Sequence, residues 1–131
     1  MPVFQGVYTI TNFQSKTRLD LDGGNKANGT KVQGWEPLQP DVPEYPNQLW
    51  NVQYTGKMGF DSYTISNVRT GTYIEIANGD GTDGTPVTCS EAAGQQTTAD
   101  HQEWELIKIG TDGYYKLRNV KTQNFLDIDK G

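Results

Sequence analysis

Apolar residues fall at every second position in short runs along most of the chain. The runs Val7-Tyr8-Thr9-Ile10, Tyr63-Thr64-Ile65 and Tyr115-Lys116-Leu117 read as half-buried strands. So do Leu19-Asp20-Leu21, Ile74-Glu75-Ile76 and Leu126-Asp127-Ile128. No helical period lasts longer than a turn or two. An Asn-containing turn separates the two members of each pair. The three segments align without gaps as TNFQSKTRLDL from Thr11, SNVRTGTYIEI from Ser66 and RNVKTQNFLDI from Arg118. The asparagines stand at 12, 67 and 119, so the spacings are 55 and 52. A period of this length marks a repeat architecture.

Each of the first two units continues with the same grammar. A Gly- and Asn-rich turn follows the second strand, DGGNKANGT from Asp22 and ANGDGTDGT from Ala77. The third strand is KVQGW from Lys31 or PVTCS from Pro86. After a long loop comes a closing strand that opens on Gln-x-Trp, in NQLWNV from Asn47 and HQEWEL from His101. The expectation is one all-β domain over residues 1–131 with four short strands per unit, in units of about 6–58, 59–112 and 113–131. Trp50 and Trp104 are expected in the core, where a large ring fills space that a small domain fills poorly. The Gln two positions earlier is expected to bond backbone in the preceding loop. The third unit stops at Gly131 after its second strand, short by roughly 30 residues on the period of the others. A fragment, a gap patched by the N-terminal MPVFQ, or strands supplied by another chain would each account for this.

Charge and composition narrow the function. The net charge is −5, and the 11 basic residues are scattered singly. Phosphate binding needs clustered Lys and Arg, so nucleic acid is not expected as a partner. No apolar window is long enough to cross a membrane, and the same scatter gives no membrane-surface segment. The start shows no secretory signal, which points to a cytoplasmic protein, with release by a non-classical route as the exception. Cys89 is the only cysteine, so no internal disulfide exists, which suits a reducing compartment. Asn28-Gly29-Thr30 has the form of a glycosylation sequon and reads here as a turn.

The two Gln-x-Trp motifs and the threefold Asn-Val-x-Thr-x-x-Tyr/Phe-Leu/Ile-Asp/Glu-Ile pattern resemble the ricin B-type lectin family, a β-trefoil. The short form without signal or disulfide is similar to fungal members that bind galactose or N-acetylgalactosamine. The resemblance covers nearly the whole chain and implies a carbohydrate-binding protein without enzymatic activity, cofactor or metal. It further implies glycan partners, a homodimer or second lobe for avidity, and a role in defence. In this family a carboxylate sits on the second strand of a repeat, an aromatic residue ends the third, and an Asn precedes the Gln of Gln-x-Trp.

By that correspondence the first lobe has every part. Asp20 is the carboxylate, Trp35 the aromatic platform, and Asn47 precedes Gln48. Gly23 and Gly24 form the turn that brings backbone N–H groups close. Gln48 would hold the loop that presents Asn47. The loop after Trp35 has prolines at 37, 40, 43 and 46, expected to make a stiff, extended wall carrying Tyr45. The second lobe is weaker. Glu75 replaces the Asp, Ser90 stands where Trp35 stands, and His101 replaces the Asn before Gln102. The third lobe keeps Asp127, with Phe125 beside it. A different class is the alternative: a trefoil protease inhibitor acting through the Pro-rich loop Pro37–Pro46. A purely structural or storage protein is a third. A Cys89–His101 pair is conceivable as nucleophile and base, but Cys89 lies in an alternating strand and reads as buried. Asn78–Thr85 has a calcium-loop composition yet lacks the closing acidic residue and reads as a Gly-rich turn.

Overall fold

The computed structural model describes residues 5–57, 61–82, 84–94, 98–111 and 113–126. The alternating runs form nine strands among them. They are β1 (Gly6–Tyr8), β2 (Arg18–Leu21), β3 (Thr30–Trp35), β4 (Trp50–Tyr54), β5 (Ser62–Asn67), β6 (Tyr73–Ile76), β7 (Val87–Ser90), β8 (Trp104–Ile109) and β9 (Tyr114–Asn119). Every pairing is antiparallel. β1, β4, β5, β8 and β9 lie side by side in one curled sheet, in that order. The hairpins β2–β3 and β6–β7 pair within themselves and meet through β3 and β7. This is the expected all-β trefoil arrangement. In the third unit, β9 is followed by a bridge between Arg118 and Phe125 and by a bond from Leu126 N to Leu117 O at 2.8 Å. Asp127 and Ile128 lie outside the described residues.

The three asparagines each close a turn in the same way. The Oδ1 of Asn12 accepts from the N–H groups of Gln14 and Ser15, that of Asn67 from Arg69 and Thr70, and that of Asn119 from Lys121 and Thr122. Each turn then needs one left-handed residue, supplied by Lys16 (φ 64°), Gly71 (φ 75°) and Gln123 (φ 61°). The side-chain amide satisfies two backbone donors that the sheet ladder leaves unpaired. That is why the Asn, more than any apolar position, keeps the period visible.

The core holds Leu19, Leu21, Val32, Ile65, Ile74 and Cys89 around Trp50 and Trp104, both fully buried. Each indole N–H reaches a second-strand carbonyl: Trp50 Nε1 donates to Leu19 O at 3.0 Å, and Trp104 Nε1 to Ile74 O at 2.9 Å. The residue between Gln and Trp differs between the units. In the second it is Glu103, fully enclosed, with donors from the Thr55 and Thr98 hydroxyls and Lys57 Nζ at 3.6 Å. A buried charge is tolerated where it is paired and hydrogen-bonded in this manner.

Trp50→Ala is expected to lower stability by about 3–5 kcal/mol through lost burial and a large cavity. Trp50→Phe keeps a ring but orphans the Leu19 carbonyl, and is expected to lose about 1–3 kcal/mol. Urea unfolding of the two variants beside the parent checks the order.

Candidate functional site

The first-lobe residues come together on one side of the β2–β3 hairpin. Leu19 and Leu21 turn to the core, so Asp20 between them faces the other way. Its cross-strand partner is Gln33, and Trp35 follows two positions along the same face. Trp35 is 49% exposed, as an aromatic platform must be. The polypeptide after Asp20 makes a 3-10 turn, Asp22–Gly24, in which Gly23 and Gly24 both hold φ near 60°. A second 3-10 turn, Tyr45–Gln48, delivers Asn47 against Gly24. A methyl group on Gly24 would lie 2.4 Å from Asn47 Oδ1, whereas one on Gly23 would meet nothing within 4 Å.

Hydrogen bonds define which of these groups remain available. Gln48 is fully buried, and its amide is fully occupied. Its Nε2 donates to Asp20 Oδ2 and Glu36 O, both at 2.9 Å, and its Oε1 accepts from Leu38 N at 3.0 Å. The expected backbone bonding of the Gln is therefore present, at the start of the loop that leads from Trp35 to Asn47. It also fixes Asp20, and being enclosed it reaches no ligand itself. At the other end of that loop the second unit joins in, since Asn67 Nδ2 donates to Asn47 O at 3.1 Å. Asp20 accepts a second bond, at Oδ1 from Gln33 Nε2 at 3.2 Å. The carboxylate is thus held at both oxygens by amides while lone pairs remain for further donors. Burial pushes the Asp20 carboxyl above its ordinary range; the bonds from Gln48 and Gln33 oppose this and the charge of Asp22 adds to it. Asn47 is the complement. Its carboxamide has no hydrogen-bond partner among the described residues, and its Oδ1 is buried. Unpaired buried polar atoms are rare enough to ask for a ligand or water.

The Pro-rich loop departs from the expected extended wall. Between Gln39 and Leu49 it folds into successive turns, with bonds from Val42 N to Gln39 O, Tyr45 N to Val42 O, Asn47 N to Glu44 O and Leu49 N to Pro46 O. Pro40 and Pro43 each stand second in such a turn, where their fixed φ is what the turn requires. Two guanidinium groups hold the loop down. Arg18 Nη1 donates to Leu38 O at 3.1 Å, and Arg69 Nη2 donates to Pro43 O.

The second lobe repeats the frame with other groups. Glu75 faces Thr88, and Ser90 falls at the register position of Trp35. Gln102, also fully buried, ties Glu75 Oε1 (3.0 Å) to Glu91 O (2.8 Å) and accepts from Ala93 N (2.9 Å). His101 turns its Nε2 to within 3.3 Å of Glu75 Oε1, so this histidine and carboxylate already engage each other. Cys89 lies beneath. Burial pushes its thiol up to about 12, the Thr72 hydrogen bond opposing and the Glu75 charge adding. It is a neutral core thiol at physiological pH, not the partner of His101 in nucleophilic chemistry. In the Asn78–Thr85 turn, Asp80 is spent locally, accepting from Thr82 N at 2.9 Å. Asp127 of the third lobe lies outside the described residues.

Gln33, Arg69 and Asn67 join the first lobe without having been expected there. Gln33 was readable, since period two places it with Trp35. Arg69 and Asn67 come from the following unit, and only the fold reveals them.

The profile of the family described as Ricin-type beta-trefoil lectin domain-like matches residues 46–131, and the chain belongs to this family. No curated protein sequence matches it. Among solved structures it is similar to ThreeFoil, a designed threefold symmetric protein, with 25% identity and a TM-score of 0.78 over 92% of this chain and 77% of that one. The Rhizoctonia solani agglutinin shows 28% identity and a TM-score of 0.71 over 94% and 74%. A Polyporus squamosus lectin, solved with the epitope Neu5Acα2-6Galβ1-4GlcNAc, shows 25% and 0.69 over 95% and 40%.

Two outcomes follow from this geometry. Gly23→Ala and Gly24→Ala both strain a left-handed position, by about 1–2 kcal/mol each. Only Gly24→Ala should also displace Asn47, seen as a moved Asn47 side-chain amide resonance. For Asp20→Asn the sign follows from the raised carboxyl. In the parent, protonation of Asp20 favours the folded state, and that contribution is lost as pH rises through the raised native value. The stability difference should therefore move in the variant's favour as pH rises above about 4, measured by urea midpoints.

Proposed function

We propose that the protein is a lectin binding terminal galactose or N-acetylgalactosamine at its first lobe. One observation carries the reading: Asn47, whose buried side-chain oxygen has no partner among the described residues, stands by the hairpin face that carries Asp20 and Gln33 and ends in exposed Trp35. A pyranose needs this combination. Its C–H face lies on an aromatic ring while a carboxylate and an amide sort its hydroxyls by direction. Asp20 accepts from two hydroxyls. The Asn47 carboxamide can donate and accept, and a sugar hydroxyl would give its buried Oδ1 the bond it lacks. Trp35 carries the ring. Gln48 is a positioning residue that sets Asp20 and the loop after Trp35.

Support also comes from the family, and from the Polyporus squamosus lectin, whose bound epitope contains galactose. The Pro-rich loop fits this reading better than protease inhibition. It is folded into turns and clamped by Arg18 and Arg69, as a site wall is, and offers no extended segment from Gln39 to Leu49 for a protease cleft. One shallow site binds weakly, so useful strength would come from a second lobe or a second copy of the chain.

A glycan array read with the parent, Asp20→Ala and Trp35→Ala tests the proposal. Galactose- or N-acetylgalactosamine-terminated glycans should bind the parent and not Asp20→Ala. Trp35→Ala should weaken binding by about 1 kcal/mol, the scale of an aromatic contact beyond its area. Binding that survives Asp20→Ala would move the site to another lobe. Silence from folded parent protein would sink the lectin reading.

A further inference from the structure

The second lobe contains a hollow of about 500 Å³, lined among others by Glu75, Asn78, Ser90, Glu91, His101 and Lys121. It occupies the place in the second unit that the sugar site occupies in the first, but beyond the exchange of Asp20 for Glu75 three further parts have changed. Ser90 replaces the Trp35 platform, so the large ring that would carry the apolar face of a pyranose is gone. His101 replaces Asn47 and is turned onto Glu75. Lys121 replaces Arg69, one unit further along in each case.

That last exchange decides the chemistry. Arg69 spends its guanidinium on the Pro43 carbonyl of the Pro-rich loop. The loop after β7 has no proline, and the Lys121 ammonium has no hydrogen-bond or ion-pair partner among the described residues. Its side chain lies over Gly79, where a methyl group would come within 2.8 Å of Nζ. The ammonium therefore stands at the edge of the hollow, beside the turn that follows Glu75. Ser90 Oγ accepts from Gly29 N at 3.0 Å and keeps its own proton to donate. Asn78 adds an exposed carboxamide.

Two carboxylates also face this space. Glu75 is buried and already engaged by Gln102 Nε2, by His101 Nε2 and, at 3.4 Å, by Thr88 Oγ1. Glu91 sits exposed on the rim, more than an ion-pair distance from Lys121. What the hollow offers an incoming group is thus an ammonium with no partner among the described residues, flanked by hydroxyl and amide donors, without the tryptophan platform of the first lobe.

We infer that the second-lobe hollow binds the carboxylate of an acidic sugar, a uronic acid or a sialic-type sugar, through Lys121, with Ser90 and Asn78 donating beside it. The inference rests on the reading of the chain as a glycan-binding trefoil, but it assigns this lobe a different class of sugar from the first. A neutral hexose gains nothing from Lys121 that water does not give it. A carboxylate gains an ion pair and needs no ring beneath it.

The test is a titration of the ¹⁵N-labelled protein, followed by amide resonances, with methyl glucuronide, the methyl glycoside of N-acetylneuraminic acid and, as neutral probe, methyl galactoside. Either acidic sugar should move the resonances of Asn78 and Ser90, and the one that does so identifies the source. Lys121→Gln should weaken that binding about fivefold, the upper range for a solvent-exposed ion pair, as should high salt. The galactoside should move Trp35 and Asn47 equally in the parent and in Lys121→Gln, and should lose this effect in Asp20→Ala. Acidic sugars that leave Asn78 and Ser90 unmoved, or bind folded Lys121→Gln as tightly as the parent, overturn the inference. Failure of the galactoside alone strikes the first-lobe reading and leaves the acidic-sugar result standing.

Discussion

The structure hangs on how Gln and Trp, two positions apart, are anchored to two adjacent residues of another strand. Trp50 gives its N–H to the carbonyl of Leu19, and Gln48 gives its amide to the carboxylate of Asp20. Both side chains are completely enclosed, and enclosed polar atoms must be satisfied. The core ring and the outward carboxylate are therefore fixed relative to one another by a single stretch of backbone. The second unit repeats this through Trp104, Gln102, Ile74 and Glu75. These paired hydrogen bonds tie the loops to the trefoil core.

The arrangement sets stability against recognition. Asp20 is a poor residue to enclose, and burial raises its carboxyl accordingly. The Asn47 side-chain oxygen is enclosed with no hydrogen-bond partner among the described residues. Neither choice is what packing would select. Both make sense if the missing partners arrive with a ligand, which is the pattern expected where a fold departs from its own rules. The second unit resolves the same tension differently, by pairing Glu75 with His101.

Much of this was legible from residues alone. The Asn turns and the alternation gave the strands and the units' order, because both are local: an Asn caps its own turn, and a strand's period is two. Burial of the two Gln-x-Trp indoles and exposure of Trp35 were readable for the same reason. The path of the Pro-rich loop was not. Proline fixes φ but leaves ψ free, and a fixed φ serves a turn as well as an extended run. The partners of Asn47 were hidden because Asn67 and Arg69 lie in the next unit, and no spacing within one repeat announces them.

That last feature reaches beyond binding. The backbone of Asn47 is held by Asn67, and the loop over it by Arg69, so the first lobe's candidate site is half built by its neighbour. Such a face is not a portable cassette. Excising the first unit, or splicing it before a foreign second one, would carry Asp20, Trp35 and Asn47 away from the side chains that hold them in place. Recombination among lectins of this architecture is therefore safest with seams placed inside a unit, where each Asn turn travels together with the loop it supports.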